Sequence, residues 1–143
     1  MKIKKNKKII GYTTGVFDLF HIGHLNILKQ AKSCCDYLIV GITTDSLVLK
    51  IKNKKPIIPF KERIEIVRNI KYVDETVIQG KIDEISDFKK YNFDIIFKGD
   101  DWKKTEKWNN LKKEFKKMGV KVKFFPYTKN TSSTIIKNIL LNK

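Results

Sequence analysis

Ile9-Ile10-Gly11-Tyr12-Thr13-Thr14-Gly15, running on into Val16-Phe17-Asp18-Leu19-Phe20-His21-Ile22-Gly23-His24, sets the architecture of the chain. Its first part is a short apolar and β-branched run, the pattern of a buried strand. Ile22, Leu25, Leu28 and Ala31 then recur at helical spacing, which predicts a helix over Ile22–Ser33. Tyr37-Leu38-Ile39-Val40-Gly41-Ile42 is a second continuous apolar run. Two such runs joined through a helix imply a parallel βαβ unit, because strands covered on both faces are apolar throughout.

Outward from this unit the alternation continues. Residues 50–56 are too charged for core, and Pro56 and Pro59 interrupt regular structure, so this stretch reads as an exposed, mobile loop. Phe60, Ile64, Val67 and Ile70 mark a second helix; residues 72–78 read as a third strand, with Asp74 and Glu75 interrupting it. A short helix over residues 82–91 precedes a fourth strand over 94–98, which ends at Gly99-Asp100-Asp101-Trp102. Residues 106–118 are helix-like and stop at Gly119; residues 120–125 form a fifth strand; Ser132 or Ser133 caps a last helix through Leu141. The pattern predicts an α/β fold: a Rossmann-like, doubly wound, five-stranded parallel sheet in a single domain spanning residues 1–143. Ligands of such sheets bind beyond the carboxyl ends of the strands. That singles out residues 15–24, 43–59, 99–102 and 127–134.

Composition narrows the function classes. A chain of 143 residues with 41% hydrophobic content is long and apolar enough for one core. No apolar run approaches the roughly 18 residues that span a bilayer, and the basic leader lacks the pattern of a signal peptide. A cytoplasmic protein without membrane insertion is expected. The net charge is +16, nearly all of it Lys; only Arg63 and Arg68 are Arg. The Lys is scattered along the chain beside much Asn and Ile, as an AT-rich genome yields, so a solvated surface is expected and nucleic acid is not. The positive field still gathers anionic substrates. Adjacent Cys34 and Cys35 make neither a disulfide framework nor a zinc site and read as reduced thiols near a helix end.

The chemistry concentrates where the first strand meets the first helix. Gly15 is expected to take backbone angles closed to other residues, and Gly23 to leave room for a ligand. A helix N-terminus favours phosphate through its free N–H groups and partial positive charge. His21 and His24, the only histidines, lie three residues apart, so both can point at one anion. No Cys, Asp or Glu stands near them at metal-ligand spacing, which leaves a metal site without a ligand set. The lysines of the following loop suit a lid over a triphosphate. Asp100 and Asp101 are either site residues or the cap of the next helix. Trp102 reads as a packing residue. The hydroxyls of Thr128, Ser132, Ser133 and Thr134, with the N–H groups of the last helix, suit phosphate or a plain N-cap.

Gly15-Val16-Phe17-Asp18-Leu19-Phe20-His21-Ile22-Gly23-His24 resembles the signature of the cytidylyltransferases, within the wider HxGH nucleotidyltransferases. Gly99-Asp100-Asp101-Trp102 and residues 128–137 resemble the later motifs of bacterial glycerol-3-phosphate cytidylyltransferases. The resemblance implies transfer of CMP from CTP to glycerol 3-phosphate or a similar small phospho-alcohol, with Mg2+, giving a CDP-alcohol and pyrophosphate for surface polymer synthesis. It implies catalytic roles for His21, His24 and Lys52. It assigns Val16, Phe17, Gly23, Lys54, Asp101, Tyr127, Thr128, Ser132, Ser133 and Thr134 to the nucleotide, and Asp18 and Lys52 to substrate. Lys50 or Lys55 are substitutes for the loop lysines. It also implies a homodimer paired near residues 72–75. Tyr127 and Lys71 stand where the family commonly has Arg. An adenylyltransferase acting on a sugar phosphate or flavin mononucleotide, and a non-catalytic nucleotide-binding module, are the alternatives.

Overall fold

The computed structural model describes residues 7–126 and 133–142. The described elements run β1 (Ile10–Gly15), α1 (Ile22–Ser33), β2 (Tyr37–Thr43), α2 (Asp45–Lys52), α3 (Phe60–Arg68), β3 (Glu75–Gln79), α4 (Glu84–Tyr91) and β4 (Ile95–Gly99). A 3-10 turn (Asp100–Trp102), α5 (Glu106–Lys117), β5 (Lys121–Phe125) and α6 (Ser133–Leu141) follow. The five strands form one parallel sheet in the order β3-β2-β1-β4-β5.

Strand order follows from which faces are apolar. Leu28 and Ala31 of α1 and Ile64 and Val67 of α3 pack with Leu38, Val40 and Ile42 on one face of the sheet. Trp108 and Phe115 of α5, with Phe88 of α4, pack with Tyr12, Ile39 and Ile96 on the other. Leu28, Leu38, Val40, Ile42 and Val67 are fully shielded; each such side chain contributes about 1.5–3 kcal/mol by leaving water. Neighbours β1 and β4 send their following helices to opposite faces, which opens a crevice at their carboxyl ends. Gly11 of β1 lets the strand lie against its cover: a Cβ there would meet Cys35 Sγ and Phe97 Cε2 at 2.7 Å each.

Three expected boundaries move, each for a local reason. Residues 50–52 belong to a helix, not to a loop. Thr44 caps α2, its Oγ1 accepting the Leu47 N–H at 3.2 Å, and Asn53 ends it in the left-handed conformation. Only Leu47 and Val48 of α2 are buried, too little for a periodic signal. The third strand starts at Glu75 rather than at 72, because Asp74 is occupied: its Oδ2 accepts the Leu38 N–H at 2.8 Å and the Lys32 ammonium at 2.5 Å. Asp83, not Ile82, opens α4, accepting the Ser86 N–H. Both cysteines are free thiols, and burial pushes that of Cys35 up to about 11. Among the described residues no helix is long and apolar enough to cross a membrane.

Candidate active site

The turn from β1 into α1 is strained where the sequence did not announce it. The left-handed residues are Phe17 (φ 54°) and Leu19 (φ 51°), and Gly15 is not among them. The expectation for Gly15 is thus corrected: it is needed for space, since a Cβ there would lie 2.8 Å from the Phe17 ring. Two non-glycine residues at positive φ cost free energy that the surroundings must offset, and such strain gathers at functional turns. Phe17 is buried, and its ring meets His24 edge-on at 5.3 Å.

His21 is the N-cap of α1 and His24 its third residue, with the rings stacked 3.9 Å apart. The pair forms a reciprocal capping box. The Gly23 N–H donates to His21 Nδ1 at 3.0 Å, and the His21 N–H donates to His24 Nδ1 at 3.2 Å. Both Nδ1 atoms are acceptors, so each neutral ring carries its proton on Nε2. Burial pushes the His24 imidazole down to about 4, with the neighbouring His21 acting the same way and Asp18 opposing; burial also lowers His21. At neutral pH the site therefore offers two neutral Nε2–H donors rather than two imidazolium ions.

Asp18 is 2% exposed and joins three segments. Its oxygens accept the Ile57 and Ile58 N–H groups at 2.8 Å each and the Lys137 ammonium at 2.8 Å. Burial alone would raise its pKa; the Lys137 ammonium and the two amides outweigh that and hold it below the usual carboxylate range. Its backbone carbonyl accepts the Ser133 hydroxyl at 2.5 Å. The geometry thus gives Asp18 a positioning role, tying the turn to residues 57–58 and to α6.

Lys52 lies beside this carboxylate at the end of α2. Burial lowers its pKa, and the charges of Lys137 and Lys54 act the same way, with Asp18 opposing. Lys50 lies on α2, Lys54 and Lys55 lie in the following loop, and all three are exposed, as is Lys52. Lys137 and Lys54 thus lie close enough to Lys52 for their charges to act on it, and Lys52 and Lys137 share the neighbourhood of the Asp18 carboxylate. Val16 is joined to the same framework: its carbonyl accepts Arg63 Nη1 at 2.7 Å. Arg63 is fully buried and also donates to the carbonyls of Thr43 and Ile58 and to the Asp45 carboxylate.

Ser133 and Thr134 open α6; Tyr127, Thr128 and Ser132 lie outside the described residues. Asp101 is exposed in the turn after β4. The capping alternative for Asp100 and Asp101 does not hold: Thr105 caps α5, accepting the Trp108 N–H at 3.3 Å. Trp102, expected to pack, is 40% exposed, and the packed indole is Trp108. Reading residue types alone passed over Arg63 and the pairing of Lys137. One signal was present: Arg63 is one of two Arg in a chain otherwise basic through Lys.

Residues 12–139 match the model of the family described as cytidylyltransferase-like. A glycerol-3-phosphate cytidylyltransferase of Bacillus spizizenii is 39% identical over 132 residues, covering 92% of this chain and 95% of that protein. An FAD synthase of Pyrococcus abyssi is also 39% identical, over 142 residues and 94% of each chain. Among solved structures, the lipopolysaccharide core biosynthesis protein of Thermoplasma volcanium aligns with a TM-score of 0.71 and 30% identity, over 87% of this chain and all of that one. With its parallel sheet, its crevice at β1 and β4 and its paired histidines at a helix N-terminus, the chain belongs to the cytidylyltransferase-like family of nucleotidyltransferases.

Proposed function

We propose that this nucleotidyltransferase transfers CMP from CTP to glycerol 3-phosphate or a similar small phospho-alcohol, releasing pyrophosphate and a CDP-alcohol that serves surface polymer synthesis. The observation that supports the phosphate chemistry is the stacked pair His21 and His24 at the N-terminus of α1, with Lys137 and Lys52 at the Asp18 carboxylate of the same turn. A phosphate oxygen of the acceptor attacks the α-phosphorus of CTP. A new P–O bond forms, the bond to the α–β bridging oxygen breaks, and pyrophosphate leaves with that electron pair. No covalent enzyme intermediate is required, so catalysis is positioning and charge stabilisation.

In this reading the Nε2–H groups of His21 and His24 donate to phosphate oxygens as charge builds in the transition state. Lys52 and Lys54 hold the triphosphate, with Ser133 and Thr134 at the start of α6 and the Gly23 backbone beside it. Val16 and Phe17 shape the nucleotide turn; Asp101, Tyr127, Thr128 and Ser132 complete the nucleotide contacts. Mg2+ enters as the counter-ion of CTP, held by phosphate oxygens and water. The active form is a homodimer paired near residues 72–75, beside the edge strand β3.

The glycerol-3-phosphate cytidylyltransferase relative, which this chain matches over nearly its full length, supports the choice of CTP and a phospho-alcohol. The FAD synthase relative supports a second reading, adenylyl transfer to flavin mononucleotide. Incubating the protein with each nucleoside triphosphate against glycerol 3-phosphate, other phospho-alcohols and flavin mononucleotide, and measuring pyrophosphate release, separates them. The expected result is turnover with CTP and a phospho-alcohol. Turnover only with ATP and the flavin would establish the second reading, and nucleotide binding without turnover would make the chain a binding module.

A further inference from the structure

We propose that Lys98 anchors the phosphate of the acceptor, on the side of the crevice opposite the histidines; this rests on the transferase reading above. Lys98 stands at the carboxyl end of β4, next to Gly99-Asp100-Asp101-Trp102. Side chains alternate along a strand. Ile96 faces the layer of α4 and α5, so Lys98, two residues on, faces it too. The α1 N-terminus belongs to the other layer, against which Leu28 and Ala31 pack. Because β1 and β4 are neighbours, His21 and Lys98 flank one crevice from its two sides.

The surroundings of the ammonium are unusual for a lysine in this chain. Its Nζ lies 4.8 Å from the ring centre of Trp102 and 5.7 Å from that of Trp108. The residue is half-buried, and among the described residues its ammonium makes no hydrogen bond and no ion pair. Glu84 is the nearby carboxylate of α4, but it is engaged by Lys107, whose Nζ lies 3.2 Å from Oε1. Burial pulls the Lys98 ammonium below its ordinary range, Lys107 acts the same way, and Glu84 and Asp101 oppose. Two indole faces offset part of the lost hydration. They satisfy none of the three N–H donors. A cation kept partly dry at the carboxyl end of its strand, without a hydrogen-bond acceptor among the described residues, is completed by an anion.

Transfer chemistry supplies the second anion. The entering phosphate and the leaving pyrophosphate lie roughly in line on opposite sides of the α-phosphorus. The histidines with Lys52, Lys54 and Lys137 serve one end of that line. The attacking phosphate needs its own cation at the other end, both to bind and to limit repulsion between two anionic substrates. On that side Lys107 is paired with Glu84, and Lys98 is the neighbouring cation without a carboxylate partner among the described residues.

The test compares wild type, Lys98→Met and Lys98→Arg, varying glycerol 3-phosphate at saturating CTP and then the reverse. Loss of one charge-assisted contact should raise the acceptor KM about 10- to 100-fold in Lys98→Met, with the KM for CTP within about twofold of wild type. Lys98→Arg should recover most of the loss. Lys98→Met should keep or raise the melting temperature, since it replaces a half-dry charge by an apolar chain. An unchanged acceptor KM, or an equal rise in both KM values, overturns the proposal. If wild type uses flavin mononucleotide and ATP instead, the CTP reading has failed and the same comparison is made with that pair. If wild type turns over neither pair, glycerol 3-phosphate and flavin mononucleotide are titrated against wild type and Lys98→Met by Trp fluorescence. Equal affinities, or no binding to wild type, then overturn it.

Discussion

The Asp18 carboxylate receives the Lys137 ammonium at 2.8 Å, so the turn that follows the first strand is held by the last helix. With the amides of Ile57 and Ile58 on the same carboxylate, one side chain sets the relative positions of three segments that border the site. Asp18→Asn keeps the shape but removes the charge and turns an N–H donor toward one of the two amides. Removing one partner of a buried ion pair costs about 3–5 kcal/mol. Urea denaturation should show a loss near the lower end of that range, because Lys137 is partly exposed. Turnover should fall as well, since Lys52 and Lys137 are left to repel each other without a carboxylate between them. Unchanged stability would show that the pair holds nothing in place.

Stacked His21 and His24 use Nδ1 to cap the helix, and in the proposed reaction their Nε2–H groups serve phosphate. His24→Asn separates the tasks, because the Asn amide oxygen can accept the His21 N–H while no donor remains at the Nε2 position. Such a variant should melt close to wild type yet lose about 10²–10³ in kcat, the usual cost of one transition-state donor. His24→Ala should lose that activity and, in addition, about 1 kcal/mol of capping stability. Equal turnover in His24→Asn and wild type would remove the histidine from catalysis.

Acid should weaken the fold before the paired carboxylates Asp18, Asp45 and Asp74 titrate. His24 takes up its proton near 4 in the native protein and near 6.5 when unfolded. Between those values the unfolded chain binds more protons, so stability falls as the pH drops through the window. Above pH 6.5 the ring is neutral in both states and contributes no slope. Asp18, Asp45 and Asp74 are held below the ordinary carboxylate value of 3.8. Their contribution is present above that value and is lost only at lower pH. Melting temperatures measured from pH 7.5 to 4 should decline through this window, and the decline should be shallower in His24→Asn. A flat profile in wild type would mean that His24 titrates normally.

The doubly wound sheet was legible because buried parallel strands are apolar throughout, as in Tyr37–Thr43, and because helix periodicity separates them. The short helix Asp45–Lys52 was not, since it buries only Leu47 and Val48 and carries lysines on its remaining surface. Its partner Arg63 was equally hidden: a single Arg in a helix pattern reads as surface, yet the chain folds three carbonyls and the Asp45 carboxylate around it.

By itself the sequence determined the parallel α/β architecture and singled out the residues proposed to carry phosphate chemistry. Two histidines beside a glycine at a strand-to-helix junction can be read from spacing alone, because helix geometry is local. Only the tertiary structure decided what those residues are chemically. Neutral Nε2–H donors at His21 and His24 follow from burial and from backbone N–H groups on Nδ1. The positioning role of Asp18 follows from the approach of residues 57–58 and of α6. The half-dry ammonium of Lys98 follows from two indoles packed beside it. Burial, hydrogen-bond direction and charge proximity depend on segments distant in the chain, and local sequence pattern does not encode them.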